Sequence, residues 1–267
     1  MYFDRVSAKQ EAKRTLRTAR PSPLLMTLVY LLLTSGLSQV IGSFVANPFD
    51  QAVSYIVKGY DPMQVYAYVF GGGAAAIGIF VSLILLFYSS IMAFGYAGYT
   101  LRLSRGEQGA FRDLIDGFNL AVKVVVLDLL TALFIMLWSM LFIIPGIIAA
   151  YRYSMAVYCL LDDPEISSME ALRRSKTLMR GQKFNFFVVQ LSFFGWSLLA
   201  GVLANGAQYL LGGVESMLGY WANFLVSFLF NLWLMPYINI VYGSFYNNLI
   251  GYARPADTGY RGPELEF

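Results

Sequence analysis

Long apolar stretches separated by short polar segments define the pattern of this chain. A helix needs about 20 consecutive apolar residues to cross a membrane, at a rise of about 1.5 Å per residue. Six stretches are nearly or fully that long, near residues 24–46, 70–100, 119–144, 147–161, 184–211 and 220–250. The pattern therefore predicts an all-α, polytopic membrane helical bundle with about six membrane segments.

The fourth segment is the shortest of the six. A helix from Ile147 to Leu161 covers only about 22 Å, whereas the hydrocarbon core of a bilayer is about 30 Å thick. Its link to the third segment, Ile144-Pro145-Gly146, is too short and apolar to extend far into water. We therefore predict a tight Pro-Gly hairpin that stays below the outer membrane surface.

The distribution of Lys and Arg predicts the orientation. Sixteen of them lie in the N-terminal segment, the 101–118 and 162–183 loops and the C-terminal tail, whereas the loops on the other side hold only Lys58. Loops rich in Lys and Arg stay in the cytoplasm. We therefore expect a multi-pass protein of the plasma (inner) membrane of a bacterium, with both termini cytoplasmic.

The apolar stretches and the Lys and Arg distribution together predict three parts of the chain. Residues 1–23 are predicted to form a cytoplasmic amphipathic helix, residues 24–250 the six-segment bundle, and residues 251–267 a flexible cytoplasmic tail. The cytoplasmic segments are expected to form interfacial elbow helices, meaning short helices at the membrane surface that lead into the next span. Ser7 to Gln10 and Ser167 to Glu170 each fit a capping box at a helix start.

Composition agrees with a membrane protein and excludes several chemistries. The chain is 58% hydrophobic with a mean hydropathy of +0.58, and only 13% of its residues are charged, against about 25% in soluble domains. Cys159 is the only cysteine, and histidine is absent. Internal disulfides, multi-thiolate or imidazole metal sites and histidine relays are therefore excluded. No catalytic residue, metal or cofactor is predicted.

Two charges inside the predicted spans are candidates for function, because ionisable residues at membrane depth are costly. Asp128 lies about nine residues from the start of the third segment, and Arg152 about nine from the end of the fourth. Both are therefore placed about 14 Å below the cytoplasmic surface, which predicts an ion pair. The pair can mark a substrate or ion site or act as a structural clamp between helices, and we favour the clamp.

Arg173, Lys176 and Arg180 form the candidate binding site. Their spacing places them on one face of a helix, beside an apolar stripe of Met169, Leu172 and Met179. Such a helix can lie on anionic lipid head groups or dock a membrane protein partner. Nucleic acid is an improbable partner, because these cations are the ones that the topology already requires.

A glycine-rich run, Gly71 to Gly78, opens the second segment. We expect Gly72 with Ala76 and Ala74 with Gly78 to form a small-residue surface on which another helix packs. The alternative is an unwound segment beside a transport path.

Several stretches resemble a bacterial integral membrane family, domain-of-unknown-function family 975. The resembling residues are Ala12–Leu16, Arg105–Glu107, Ile144–Ile147, Tyr151–Ala156, Asp163–Ser167, Glu170–Ser175 and Pro236–Tyr237. The resemblance is most specific over residues 144–183. It implies a multi-span membrane protein and no particular activity.

Three classes of function fit these patterns. The first is a non-enzymatic accessory or scaffold protein that acts on a partner complex or on membrane homeostasis. The alternative is a small transporter or a lipid- or small-molecule-handling protein. An intramembrane enzyme is the least expected, since the sequence offers no paired catalytic carboxylates or metal ligands.

Overall fold

The computed structural model of the protein describes residues 3–45, 48–213 and 216–252. Every regular element in these residues is helical, which confirms the predicted all-α fold. The α-helices, in chain order, are α1 (Arg5–Thr18), α2 (Pro23–Leu31), α3 (Leu37–Phe44), α4 (Pro48–Val57), α5 (Pro62–Phe70), α6 (Gly73–Ser104), α7 (Arg112–Asp116), α8 (Ala121–Leu141), α9 (Ile143–Tyr153), α10 (Ala156–Asp162), α11 (Ser168–Leu178), α12 (Lys183–Leu210) and α13 (Met217–Ile250).

Six helical stretches of the described chain are long and apolar enough to cross a membrane. The first joins α2 and α3 through a π-helical turn, Leu32–Gly36. The others are α6, α7 with α8, α9 with α10, α12 and α13. Helices α6 and α13 have 32 and 34 residues, or about 48–51 Å, which exceeds a hydrocarbon core of about 30 Å. One end of each therefore extends beyond the apolar layer.

The hairpin between the third and fourth segments differs from the prediction. The turn consists of the single extended residue Phe142, with φ −161° and ψ 154°, and Pro145 and Gly146 already lie in the first turn of α9. Proline is tolerated there because the first amides of a helix have no partner within the helix. The fourth segment is therefore longer than predicted, with 20 residues from Ile143 to Asp162.

This fourth segment is interrupted at Ser154–Met155, between α9 and α10. The fully buried Ser175 of α11 hydrogen-bonds across the break. Its hydroxyl donates to the carbonyl oxygen of Arg152 at 2.9 Å and accepts from the backbone amide of Met155 at 3.2 Å. Helix α11 thereby supplies partners that the broken helix lacks.

Helices α1, α7, α10 and α11 gather around the ends of α6 and α13. We call this part of the molecule, residues 3–20, 102–120, 158–183 and 243–252, the basic end. Contacts between distant segments hold it together: α1 packs on α13, and the Asn247 amide donates to the Ser104 hydroxyl at 2.9 Å. The described cationic segments that the sequence assigns to one side therefore lie together, whereas the rest of the predicted C-terminal tail, with Arg254 and Arg261, lies outside the described residues.

The caps of the elbow helices agree only in part with the prediction. Helix α1 begins earlier than expected, because the Asp4 carboxylate accepts from the amides of Val6 and Ser7 at 2.9 and 3.3 Å. The predicted cap at Ser7 is therefore wrong. The hydrogen bond from the Ser7 amide, followed by the one from the Val6 amide, lowers the pKa of Asp4 below its usual value. In α11 the predicted cap forms, with the Ser167 hydroxyl accepting from the Glu170 amide at 3.2 Å.

Gly72 and Ala76 of the glycine-rich run do not make the expected close helix contact. Gly72 only caps α6, no atom lies within 4 Å of a Cβ built there, and Ala76 is exposed. The predicted packing surface at Gly72 and Ala76 is therefore wrong, and the side chain of Ala74 lies outside the described residues. The tight contact is at Gly95, where a Cβ would lie 2.7 Å from the carbonyl oxygen of Asp113.

Two short helices at the opposite end, α4 and α5, were not predicted. Both start with proline, whose fixed φ suits the first helical position. Asp61 caps α5 by accepting from the amides of Met63 and Gln64 at 2.7 and 3.3 Å. Helices α4 and α5 pack on each other, and Lys58 lies in the turn between them.

Candidate functional site

A cavity of about 290 Å³ between the helices is lined by Asp128. It lies between α6, α8, the junction of α9 and α10, α12 and α13. Its polar lining residues are Ser90, Asp128, Ser154, Gln190, Asn239 and Tyr242. Asp128 is seven residues into α8, or about 10 Å from the start of that helix. We call this space the Asp128 cavity.

Three of the lining residues, Ser90, Ser154 and Asn239, leave oxygen acceptors for a ligand. Ser90 donates its hydroxyl hydrogen to the Asp128 carboxylate. Ser154 donates its own to the carbonyl oxygen of Tyr151 at 3.0 Å. The Asn239 amide nitrogen donates to the carbonyl oxygen of Met235 at 2.9 Å, so that its carbonyl oxygen remains available.

The predicted ion pair between Asp128 and Arg152 does not form. Arg152 instead lies against Trp138, with its guanidinium carbon 5.6 Å from the ring centroid. Contacts across the hairpin explain the mismatch. Because the rings of Phe134 and Tyr153 meet at 5.7 Å, Arg152 is level with a part of α8 well beyond Asp128.

The predicted basic face is exposed, with Arg173 and Lys176 on α11 and Arg180 in the turn that follows the helix. Arg173, Lys176 and Arg180 are all exposed, and the nearest carboxylate to any of them is that of Glu170, 3.8 Å from Arg173 within the part of the chain that the structure describes.

The apolar stripe beside this face is largely buried within the protein. Leu172 and Met179 are 2% and 0% exposed, and only Met169 remains accessible. Helix α11 packs on α8, α9 and α10, and the Ser168 hydroxyl donates to the carbonyl oxygen of Lys123 at 2.7 Å. The helix is therefore anchored to the bundle.

Arg174 differs from its three cationic neighbours because it is already paired. Its guanidinium donates to the Asp163 carboxylate at 2.9 Å and lies 3.7 Å from Glu170. The hydrogen bond to Asp163 raises the pKa of Arg174 above its usual value. Arg174 thus fixes the loop before α11 and is not part of the basic face.

A polar cluster that the sequence analysis missed joins three spans at the basic end. Arg105, at the end of α6, lies 2.7 Å from the Asp162 carboxylate of α10 and donates to the Asn247 side chain of α13 at 3.0 Å. Tyr246 also donates to Asp162, at 2.8 Å, and Tyr252 lies under the Arg105 guanidinium at 4.7 Å. Only the Arg105-Gly106-Glu107 resemblance pointed to this region.

Two cavities flank Asp162 at the basic end. One, of about 480 Å³, is lined by charged residues of both signs, among them Arg102, Glu107 and Asp116. The other, of about 470 Å³, includes Arg173 of the basic face and the buried Cys159.

Helix α1 places another cation at the basic end. The Lys9 ammonium lies 4.7 Å from the centroid of the Phe193 ring, a favourable contact between a cation and an aromatic face. Partial burial, followed by the positive charges of Arg5 and Lys13, lowers the pKa of Lys9.

These features describe a multi-pass helical membrane protein, and comparison with known proteins adds a partial match. A family model described as "Protein of unknown function (DUF975)" matches residues 140–253. This match confirms the resemblance to that family over the hairpin, α11 and the last two spans. The resembling residues 12–16 and 105–107 lie outside it. No curated protein and no solved structure matches the chain.

Proposed function

We propose that the protein is a non-enzymatic accessory or scaffold protein of a bacterial inner membrane that acts in membrane homeostasis. In this proposal both termini are cytoplasmic, and the basic face of α11 binds anionic lipid head groups. The observation that supports it most is the exposure of Arg173, Lys176 and Arg180 on and just after a helix whose other side packs on the third and fourth spans.

The anchoring of α11 favours this binding. A flexible basic segment loses conformational entropy when it settles on a surface, whereas the backbone of Arg173 and Lys176 is already fixed in a helix before contact. Each cation near an anionic membrane surface contributes about 1 kcal/mol. Charge complementarity therefore favours the inner leaflet, which is the anionic leaflet at the cytoplasmic side, as the surface on which the basic face acts.

Reversing the charge of the basic face should weaken binding of phosphatidylglycerol by about a hundredfold or more. The variant is R173E/K176E/R180E, and the estimate follows from three lost contacts of about 1 kcal/mol each. Native mass spectrometry of the purified protein with added phosphatidylglycerol measures it. Arg174 and Lys183 remain, so the loop should keep its side of the membrane.

Two controls accompany this variant. K58E changes one charge at the opposite end and should leave binding unchanged, and R173K/R180K keeps the charges and should retain most of it. Equal phosphatidylglycerol binding by the wild type and the reversed variant would contradict the proposed role of the basic face.

A second candidate function, a small transporter or a lipid- or small-molecule-handling protein, is favoured by one observation. Asp128 is not paired with Arg152 and instead lines the Asp128 cavity. A carboxylate kept at membrane depth as a mere clamp should have a cationic partner. If this candidate is right, substitutions that fill the cavity should abolish the cellular role of the protein, whereas reversing the basic face should not.

A further inference from the structure

We infer that the Asp128 cavity binds a primary ammonium group, either of an ethanolamine-type lipid head group or of a free alkylamine. This inference deepens the second candidate function and rests on it. It follows from the charge of the cavity, from its hydrogen-bonding capacity and from its walls.

The charge of the cavity comes first. Asp128 is the only charged residue among the described residues that line it. Its described partner is the neutral hydroxyl of Ser90, which cannot balance a carboxylate. An ionised carboxylate in an apolar layer needs a cation or must take up a proton. A ligand cation provides that balance and gains a charge-assisted hydrogen bond.

The hydrogen-bonding capacity selects the kind of cation. Ser90 and Ser154 have donated their hydroxyl hydrogens within the protein, and the Asn239 amide donates to a backbone carbonyl. Apart from the second amide hydrogen of Asn239, what these groups still offer is oxygen lone pairs. Together with the carboxylate they can accept the three N–H bonds of a primary ammonium. A quaternary ammonium has no N–H to donate and should bind less well.

The walls and the access of the cavity fit such a group. Phe94, Tyr158 and Phe186 contribute aromatic surface, which attracts a cation placed over a ring face. A volume of about 290 Å³ is close to the lower limit of small-molecule sites, about 300 Å³, and therefore suits a head group or a short amine. Asp128 is itself exposed, so that a ligand can reach it from the surface of the bundle.

The test is calorimetric titration of the full chain in detergent with n-hexylammonium, hexyltrimethylammonium and hexanol. We expect hexylammonium to bind at least about tenfold more tightly than the other two, since they lack either the N–H donors or the charge. D128N should weaken hexylammonium binding by about ten- to a hundredfold, because it removes the negative charge that accepts the hydrogen bond from the ammonium group. A93L, which keeps the carboxylate but fills the cavity, should weaken it as well.

D116N is the matched control. It makes the same substitution at a partly exposed aspartate whose partner is Arg112, 3.3 Å away at the basic end, and it should leave hexylammonium binding unchanged. Competition separates the two sources of the ammonium group. Phosphatidylethanolamine in nanodiscs displaces hexylammonium if the lipid head group is the ligand, whereas only free ethanolamine displaces it if the ligand is soluble.

The inference is overturned if hexylammonium fails to bind or binds no better than hexanol, or if D128N leaves its affinity unchanged. Unchanged binding by A93L would overturn the assignment to this cavity. The selectivity among the three probes is measured on the wild type, so it holds even if D128N does not fold. If A93L abolishes the cellular role of the protein while D128N does not, the second candidate function is supported. Only the inference that the ligand is an ammonium group is then wrong.

Discussion

Replacing Gly95 with alanine is expected to destabilise the protein by about 3 kcal/mol, the upper part of the usual range for overpacking. A Cβ at Gly95 would lie 2.7 Å from the carbonyl oxygen of Asp113, and Leu114 is also too close. Both obstacles are backbone atoms of α7, which cannot rotate away as a side chain can. Helix α7 must therefore move off α6.

The measurement is denaturant unfolding of the purified protein in detergent micelles, followed by circular dichroism. The control is G201A, because no atom lies within 4 Å of a Cβ at Gly201 in the middle of α12. Alanine there should be neutral or stabilising by up to about 1 kcal/mol, since glycine is the poorer helix former. Equal unfolding midpoints for G95A and the wild type would show that α7 does not pack on α6 as described.

Replacing Arg105 with alanine is the second large effect, with an expected loss of about 3 kcal/mol. Arg105 and Asp162 are mostly buried, with side-chain exposures of 16% and 24%. Removing one partner of a buried pair costs about 3–5 kcal/mol, and the remaining exposure places this pair at the lower limit. The change also removes the hydrogen bond to Asn247, so the ends of three spans lose their common partner.

R112A is the matched control, because its side chain is 84% exposed beside Asp116. An exposed pair contributes about 0–1 kcal/mol, so R112A should change stability little. A double-mutant cycle of R105A with D162A isolates the pair, since the two losses should not add. Additive losses would mean that Arg105 and Asp162 act independently.

The spans could be predicted from the sequence because hydrophobic length is a property of contiguous residues. The predicted boundaries lie within about five residues of the observed ones except at the third span, which begins at Arg112 and not near residue 119. The pattern predicts too short a fourth segment because Pro145 and Gly146 are also typical of a turn. Proline also fits the first turn of a helix, and the chain turns at Phe142 instead.

The side-chain partners could not be predicted in the same way. Asp128 and Arg152 were paired by their distances from the helix ends, which assumes that both helices start at the same level and run straight. The helix break at Ser154 and the contact between Phe134 and Tyr153 place Arg152 at a different level of the bundle from Asp128.

The cluster joins Arg105 to partners that are 57 to 147 positions away in the chain. No member of the cluster is distinctive in the sequence. An Arg after a span is expected from the orientation rule alone, and an Asn within a span is expected to serve helix packing. Only the folded bundle brings them together. The basic face on α11 was predictable because its spacing is local, whereas the burial of Leu172 and Met179 within the protein depends on tertiary contacts.

The central claim is that the basic end faces the cytoplasm, and cysteine labelling tests it most directly. On a C159S background, K58C and K176C each place one thiol at an exposed position, at opposite ends of the bundle. With a membrane-impermeant maleimide, we predict that K58C reacts in intact spheroplasts and that K176C reacts only after the membrane is opened. Labelling of K176C in intact spheroplasts, with K58C protected until opening, would contradict the account.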